Sequence, residues 1–185
     1  MEQKFSIRKD TAKYTLTDIK NEIKEDVELL ISLGYADVSR NHYECRFDNR
    51  ALRRLGRCTR MTTYKYLISV NEKYLRMANP ESIHNTIMHE VIHSLPGCMN
   101  HGKEWQNAAR RVNASYNFTP ITRVHDLAED KHYENYVKSN YHYSIECEKC
   151  HPKWSYMKKT KTYSACKEGR ARCSCGSRIF ICREL

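Results

Sequence analysis

The sequence has no apolar run that approaches the roughly 18 residues of a membrane-spanning helix. Its first residues, MEQKFSIRKDTAKY, contain no apolar h-region, so they do not resemble a secretory signal peptide. Internal repeats and low-complexity segments are also missing. These absences predict an intracellular protein without a membrane partner.

The composition is sufficient for a folded core. Of 185 residues, 40% are hydrophobic, which argues against wholesale disorder. This length suits one main domain with at most a small appendage. Nine cysteines in an intracellular protein favour metal ligands or free thiols before disulfides.

The positive charge is concentrated near the end of the chain. The formal net charge is +10, and residues 138–185 carry +7 of it along with six of the nine cysteines. The chain is therefore predicted to have a nearly balanced body, residues 1–137, and a basic cysteine-rich module, residues 138–185. A strongly basic module favours a polyanionic partner, and nucleic acid is the leading candidate.

Hydrophobic spacing predicts a mixed α+β body in which helices dominate over a short sheet. The first helix is expected from Leu16 to Leu33, with Thr15 as its cap. Alternating residues after Tyr43 and after Tyr64 predict two short strands. A second helix should begin at Asn79-Pro80 and end near Ser94, and a third should begin near Gly102.

The second helix carries the motif H-E-x-x-H, formed by His89, Glu90 and His93. Two histidines four residues apart share a helix face and suit one Zn²⁺, while the glutamate between them suits a general base for a zinc-bound water. His101 follows a Pro-Gly turn and is the expected third ligand. Cys98 is an alternative ligand, and two solvent-exposed histidines on an ordinary helix are the simplest alternative to a metal site.

Two further histidines enter the prediction. His84 lies off the face of His89 and is expected at the surface. His125 and several tyrosines are candidates for stabilising an oxyanion. Metzincins place the third histidine six residues after the second, whereas His101 follows His93 by eight, so that class is excluded.

The C-terminal module contains two cysteine pairs at zinc-ribbon spacing. Cys147 and Cys150 form a C-x-x-C, and Cys173 and Cys175 form a shortened C-x-C. Four thiolates from two such knuckles hold a structural Zn²⁺. Cys166 is the alternative should Cys173 or Cys175 not reach the metal. Free thiols or a redox pair are the other possibilities.

Basic and aromatic residues alternate around these knuckles. The basic set comprises Lys149, Lys153, Lys158, Lys159, Lys161, Lys167, Arg170, Arg172 and Arg178, and the aromatic set comprises Trp154, Tyr156, Tyr163 and Phe180. Cations that contact phosphates and rings that stack on bases are typical of single-stranded DNA binding. The alternative is that the rings fill the ribbon core.

Two strings carry a family resemblance. His89-Glu90-Val-Ile-His93 with Asn100-His101-Gly102-Lys-Glu-Trp105 resembles the SprT-like family, which includes the Spartan-type proteases that degrade DNA–protein crosslinks. The resemblance implies a small zincin-like fold with a C-terminal zinc ribbon, one catalytic Zn²⁺ on His89, His93 and His101, and catalysis by Glu90. It also implies a role in DNA repair, with the ribbon as a DNA-binding module.

The leading hypothesis is a zinc metallopeptidase acting on proteins associated with or crosslinked to DNA. The first alternative is a non-catalytic adaptor that binds nucleic acid and uses both zinc ions structurally. A second alternative is a peptidase for one regulator, with the tail as a substrate dock. The substrate, the need for DNA and the oligomeric state are not specified by the sequence.

Overall fold

The computed structural model describes residues 14–115, 120–123 and 130–185. These residues form a mixed α+β fold with two small three-stranded sheets, which confirms the predicted fold class. The chain divides into two compact units, Met1–Glu134 and Asn135–Leu185. No helix among the described residues is long and apolar enough to cross a membrane.

The first unit begins with helix α1, Leu16–Ser32, which starts with a capping box between Thr15 and Asp18. Its buried face includes Ile19, Ile23 and Leu30, as the three- and four-residue spacing predicted. Gly34 follows the helix with a φ of +88°, a conformation that a residue with a Cβ rarely adopts. A 3₁₀ turn, Ala36–Arg40, then leads to the sheet.

The sheet of the first unit contains β1, His42–Phe47, β2, Gly56–Arg60, and β3, Lys65–Val70. Its order is β1-β3-β2; β1 runs parallel and β2 antiparallel to β3. On β3, Tyr66, Ile68 and Val70 are buried. Because side chains alternate between faces of a strand, the partners of these three residues on β1 and β2 share the inner face.

Three further helices of the first unit lie among the described residues. They are α2, Glu72–Met77, α3, Pro80–Ile92, and α4, Lys103–Ser115. Asn79 caps α3 by accepting from the N–H of Ser82, and its own N–H and side-chain amide both donate to the buried Asp130. Helix α3 contacts α1, α4, β2 and β3, so its residues are held from several sides.

The boundary between the two units falls within α5, Lys131–Ser139. The second unit then contains β4, Tyr143–Cys147, β5, Lys153–Tyr156, helix α6, Lys161–Lys167, and β6, Phe180–Glu184. Its sheet order is β5-β4-β6, with both pairings antiparallel. Ile145, Tyr163 and Cys166 form its small core.

Some local structure differs from the sequence prediction. Two helices of the structure, α5 and α6, were not among the elements predicted from hydrophobic spacing. Helix α6 is only seven residues long, with Thr160 as its cap. A helix this short is stabilised mainly by packing, here of Tyr163 and Cys166 against the sheet.

An ionisable pair lies between α1 and α3. The Asp26 side chain is fully buried, and its Oδ1 lies 3.8 Å from Nδ1 of His84. His84 is only 6% exposed, so the expectation of a surface residue was wrong. Burial lowers the pKa of His84 to about 4, and burial, with Glu22 and Glu25 nearby, raises the pKa of Asp26 well above its usual value.

We predict that Asp26→Asn stabilises the protein at pH 7. The pKa of aspartate in an unfolded chain is about 3.9, and the pKa of Asp26 in the folded protein is higher. The wild type therefore loses stability as the pH rises from the unfolded-state pKa to the folded-state pKa. The gain from Asp26→Asn should therefore disappear near pH 4. Urea unfolding at several pH values measures this; an equal difference at every pH would contradict it.

Candidate metal centre and active site

Three histidines converge at the end of α3. His89 lies on the helix, His93 is its C-terminal cap, and His101 lies two residues before α4. Nε2 of His101 is 2.8 Å from Nε2 of His89 and 3.2 Å from Nε2 of His93. The structure therefore brings together the three histidines that the motif and the resemblance predicted.

The opposite ring nitrogens explain this convergence. Nδ1 of His93 lies 2.6 Å from the carbonyl oxygen of Cys98, and Nδ1 of His89 lies 3.0 Å from that of Thr122. A carbonyl only accepts, so each Nδ1 is the donor and each Nε2 carries a lone pair. The Nε2 lone pairs of His89 and His93 therefore lie near Nε2 of His101, where all three nitrogens are available to a bound cation.

The three nitrogens suit Zn²⁺. Zn–N bonds of about 2.0–2.1 Å in a tetrahedron place neighbouring ligand nitrogens about 3.3 Å apart, close to the Nε2 separations in this cluster. Backbone carbonyls that hold the non-ligating Nδ1 are the usual outer support of a histidine–zinc site. The residues present therefore fit a zinc ion with three histidine ligands.

A tight turn brings His101 back to the helix. Gly97 has a φ of +77°, where a Cβ would be strained, and the N–H of Cys98 donates to the carbonyl of Leu95. Cys98 is buried, and its carbonyl rather than its thiol supports the site. It is not part of the three-histidine group.

Trp105 forms the floor of the cluster. It projects from α4, is 1% exposed, and its ring centroid lies 4.7 Å from those of His89 and His101 and 5.7 Å from that of His93. A large, rigid ring in contact with all three imidazoles limits their rotation. The sequence placed Trp105 on a helix face but did not indicate this contact.

Glu90 is held beside the histidines by strand β2. Its Oε2 accepts from the backbone N–H of Cys58 at 2.6 Å, and the residue is 7% exposed. Burial raises its pKa to about 7, while the Cys58 N–H and the guanidinium groups of Arg54 and Arg57 act in the opposite direction. The carboxyl group thus has one oxygen oriented by the sheet.

The close approach of β2 to Glu90 requires a glycine. A Cβ on Gly56 would lie 2.7 Å from Oε1 and 2.8 Å from Cγ of Glu90, distances that real Cβ atoms do not show. β2 is an edge strand of its sheet, and the Cys58 N–H points outward from it to the carboxylate. The sequence did not predict this strand, so Gly56 and Cys58 were missed.

The second unit brings four thiols together. Sγ of Cys147 lies 3.6 Å from Sγ of Cys175, and Sγ of Cys150 lies 3.5 Å from Sγ of Cys173. All four sulfur atoms lie within 4.8 Å of one another. Zn–S bonds of about 2.3 Å in a tetrahedron give sulfur separations of about 3.8 Å, so this set suits a structural Zn²⁺.

The alternative cysteine ligands lie elsewhere. Cys166 packs in the core of the second unit with Ile145 and Tyr163, and Cys182 packs against that core. Neither belongs to the four-thiol group. The candidate oxyanion residue His125 lies outside the described residues.

Comparison with protein families agrees with this geometry. The SprT-like family model matches residues 22–125, more than half of the chain, including all three histidines and Glu90. The chain belongs to the SprT-like family. No curated protein matches the chain significantly. The family match ends before the four-cysteine unit, so the SprT-like assignment rests on the first unit.

We predict two zinc ions per chain. His93→Ala and Cys147→Ser should each remove one, because each deletes a ligand from a different cluster. The matched controls are Cys98→Ser and Cys166→Ser, which change neighbouring thiols that belong to neither cluster. Atomic emission after gel filtration measures the ratio; loss of zinc in either control alone would contradict the ligand sets.

Proposed function

We propose that this SprT-like protein is a zinc-dependent metallopeptidase that cleaves proteins associated with or crosslinked to DNA. The observation that supports it most is Glu90, buried beside three convergent histidines and oriented by the backbone of an edge strand. A purely structural zinc site normally has four protein ligands, whereas three leave a position for water or substrate. Among the described residues, the histidine group offers three protein ligands, which is the number that an open site of the second kind uses.

Zn²⁺ bound here supplies Lewis acidity, which acidifies a water and polarises a scissile carbonyl. The residues of the chain do the remaining work. His89, His93 and His101 hold the ion, and Trp105 restrains their rings. The Cys58 N–H binds Oε2 of Glu90, so Oε1 is the oxygen that takes the proton from the attacking water and later delivers it to the leaving amine.

The DNA part of the proposal rests on the second unit. Its basic side chains between Lys149 and Arg178 are exposed. Of its four interleaved rings, Tyr163 is buried in the core, and Tyr156 and Phe180 pack against it, whereas Trp154 is 41% exposed. Three rings thus serve the core of the second unit, and the exposure of Trp154 supports a role for this ring in stacking on a base.

We predict that Glu90→Gln reduces cleavage of a DNA-binding protein at least about 100-fold, the usual contribution of a general base. Zinc content should stay at the wild-type value because Glu90 is not a ligand. The assay compares wild type and variant by gel electrophoresis, with and without single-stranded oligonucleotide.

The matched control is Glu81→Gln, the same change in the first turn of α3, about 13 Å along the helix at about 1.5 Å per residue. It should cleave like wild type. Equal cleavage by wild type and Glu90→Gln under all DNA conditions would contradict the proposal that the protein is a peptidase. Tight DNA binding and two zinc ions without any cleavage would establish the adaptor instead.

We further predict that Gly56→Ala lowers kcat and leaves KM within about twofold, because the added methyl displaces Glu90 without touching a histidine. Thr59→Ala, on the same strand but the opposite face, should keep wild-type kcat. Steady-state kinetics with a fluorogenic peptide measures both. A normal kcat in Gly56→Ala would show that β2 does not position Glu90.

A further inference from the structure

The outer face of the first sheet carries an unusual row of residues. Arg46 on β1 and Arg57 on β2 both align with Ser69 on β3. All three side chains therefore share one face, with an arginine on each side of a serine. Two spacings of about 4.8 Å place the arginine Cα atoms about 10 Å apart.

In the part of the chain that the structure describes, no carboxylate is in ion-pair contact with either arginine of this row. Arg46 and Arg57 are both exposed, and neither forms an ion pair among the described residues. The Nε of Arg46 donates instead to the hydroxyl of Ser69, which is 2% exposed. This bond anchors one guanidinium over the sheet while its remaining N–H groups stay available.

A neighbouring pair on the same face shows how a cation on a sheet is usually neutralised. There Lys65 forms a 2.7 Å ion pair with Glu44. Arg50 and Arg54, nearby in sequence, both pair with Asp48. The cations around this sheet are thus mostly matched, and like charges gathered on one sheet face without a partner are unfavourable. Arg46 and Arg57 suit an anion from outside the chain.

The location of the row connects it to the candidate active site. Arg57 directly precedes Cys58, whose N–H binds Glu90. Residues 50–60 contain five arginines and no acidic residue, so the edge strand beside Glu90 lies in a positive field. A polyanion bound to the row would lie next to the strand that positions Glu90.

We propose that Arg46 and Arg57 form a phosphodiester-binding site for single-stranded DNA on the first unit, in addition to the basic residues of the second unit. Guanidinium forks bind phosphate oxygens in a bidentate manner, and two of them span adjacent stretches of a flexible strand. The choice of DNA as the anion rests on the proposed function. The site places DNA on the strand whose Cys58 N–H orients Glu90.

The test measures fluorescence anisotropy of a labelled single-stranded oligonucleotide with the full chain at several salt concentrations. Arg46→Gln with Arg57→Gln should weaken binding at least about fivefold at low salt. The slope of log K against log salt should fall by about 1.4, since each phosphate contact on a single strand contributes about 0.7. Arg46→Lys with Arg57→Lys should keep most of the slope because the charges remain.

The matched control is Lys20→Gln with Lys24→Gln, which removes two exposed cations from α1. It should bind within twofold of wild type. Equal binding by the arginine variant and this control would overturn the site. Weaker binding of poly-glutamate but unchanged DNA binding in the arginine variant would also overturn it, because the partner would then be an acidic polypeptide.

Zinc content and urea unfolding confirm that each variant is folded. Binding requires no turnover, so it is independent of the peptidase proposal. Cleavage of an unfolded protein without DNA, compared between wild type and Glu90→Gln, tests that proposal separately. Loss of DNA binding in the folded, zinc-loaded arginine variant supports the site at any rate of DNA-free cleavage, because Arg57 also affects the pKa of Glu90. Loss of cleavage in Glu90→Gln bears only on the peptidase proposal.

Discussion

Three imidazole nitrogens that face each other across about 3 Å determine the organisation of the first unit. Their orientation depends on backbone carbonyls: Cys98 after the tight turn and Thr122 after α4 accept from the outer nitrogens of His93 and His89. With the tautomers of His89 and His93 set in this way, their Nε2 lone pairs lie near Nε2 of His101 and are available to a cation. The turn at Gly97 and the buried face of α4 are the parts of the fold that make this convergence possible.

A second constraint comes from the sheet, which approaches α3 so closely that a Cβ at position 56 would displace the side chain of Glu90. Gly56 leaves space for the carboxyl group of Glu90, and the next outward-facing N–H, that of Cys58, binds it. One edge strand therefore orients the proposed base and carries Arg57 on its other face. The same short segment serves the chemistry and the proposed contact with DNA.

Features that depend on local interactions were predictable from the sequence, whereas features that depend on tertiary contacts were not. Helix α3 and its cap at Asn79 were predictable because capping and hydrophobic spacing are local, and His101 was predictable from motif and resemblance. Strand β2 was not, because GRCTR has no apolar alternation and pairs with β3 through tertiary contacts. The burial of His84 beside Asp26 was missed for a similar reason, since the face that α1 covers is not visible in the spacing of α3 alone. Averaging the charge over the first 137 residues also hid the arginine-rich segment around β2.

The most direct test of the metal centre is a crystal structure of the zinc-loaded chain with anomalous diffraction at the zinc edge. The account predicts a peak about 2.0–2.1 Å from Nε2 of His89, His93 and His101, with the fourth position facing Glu90 and free of protein ligands. A peak coordinated by the thiol of Cys98, or a fourth protein ligand that closes the site, would contradict it.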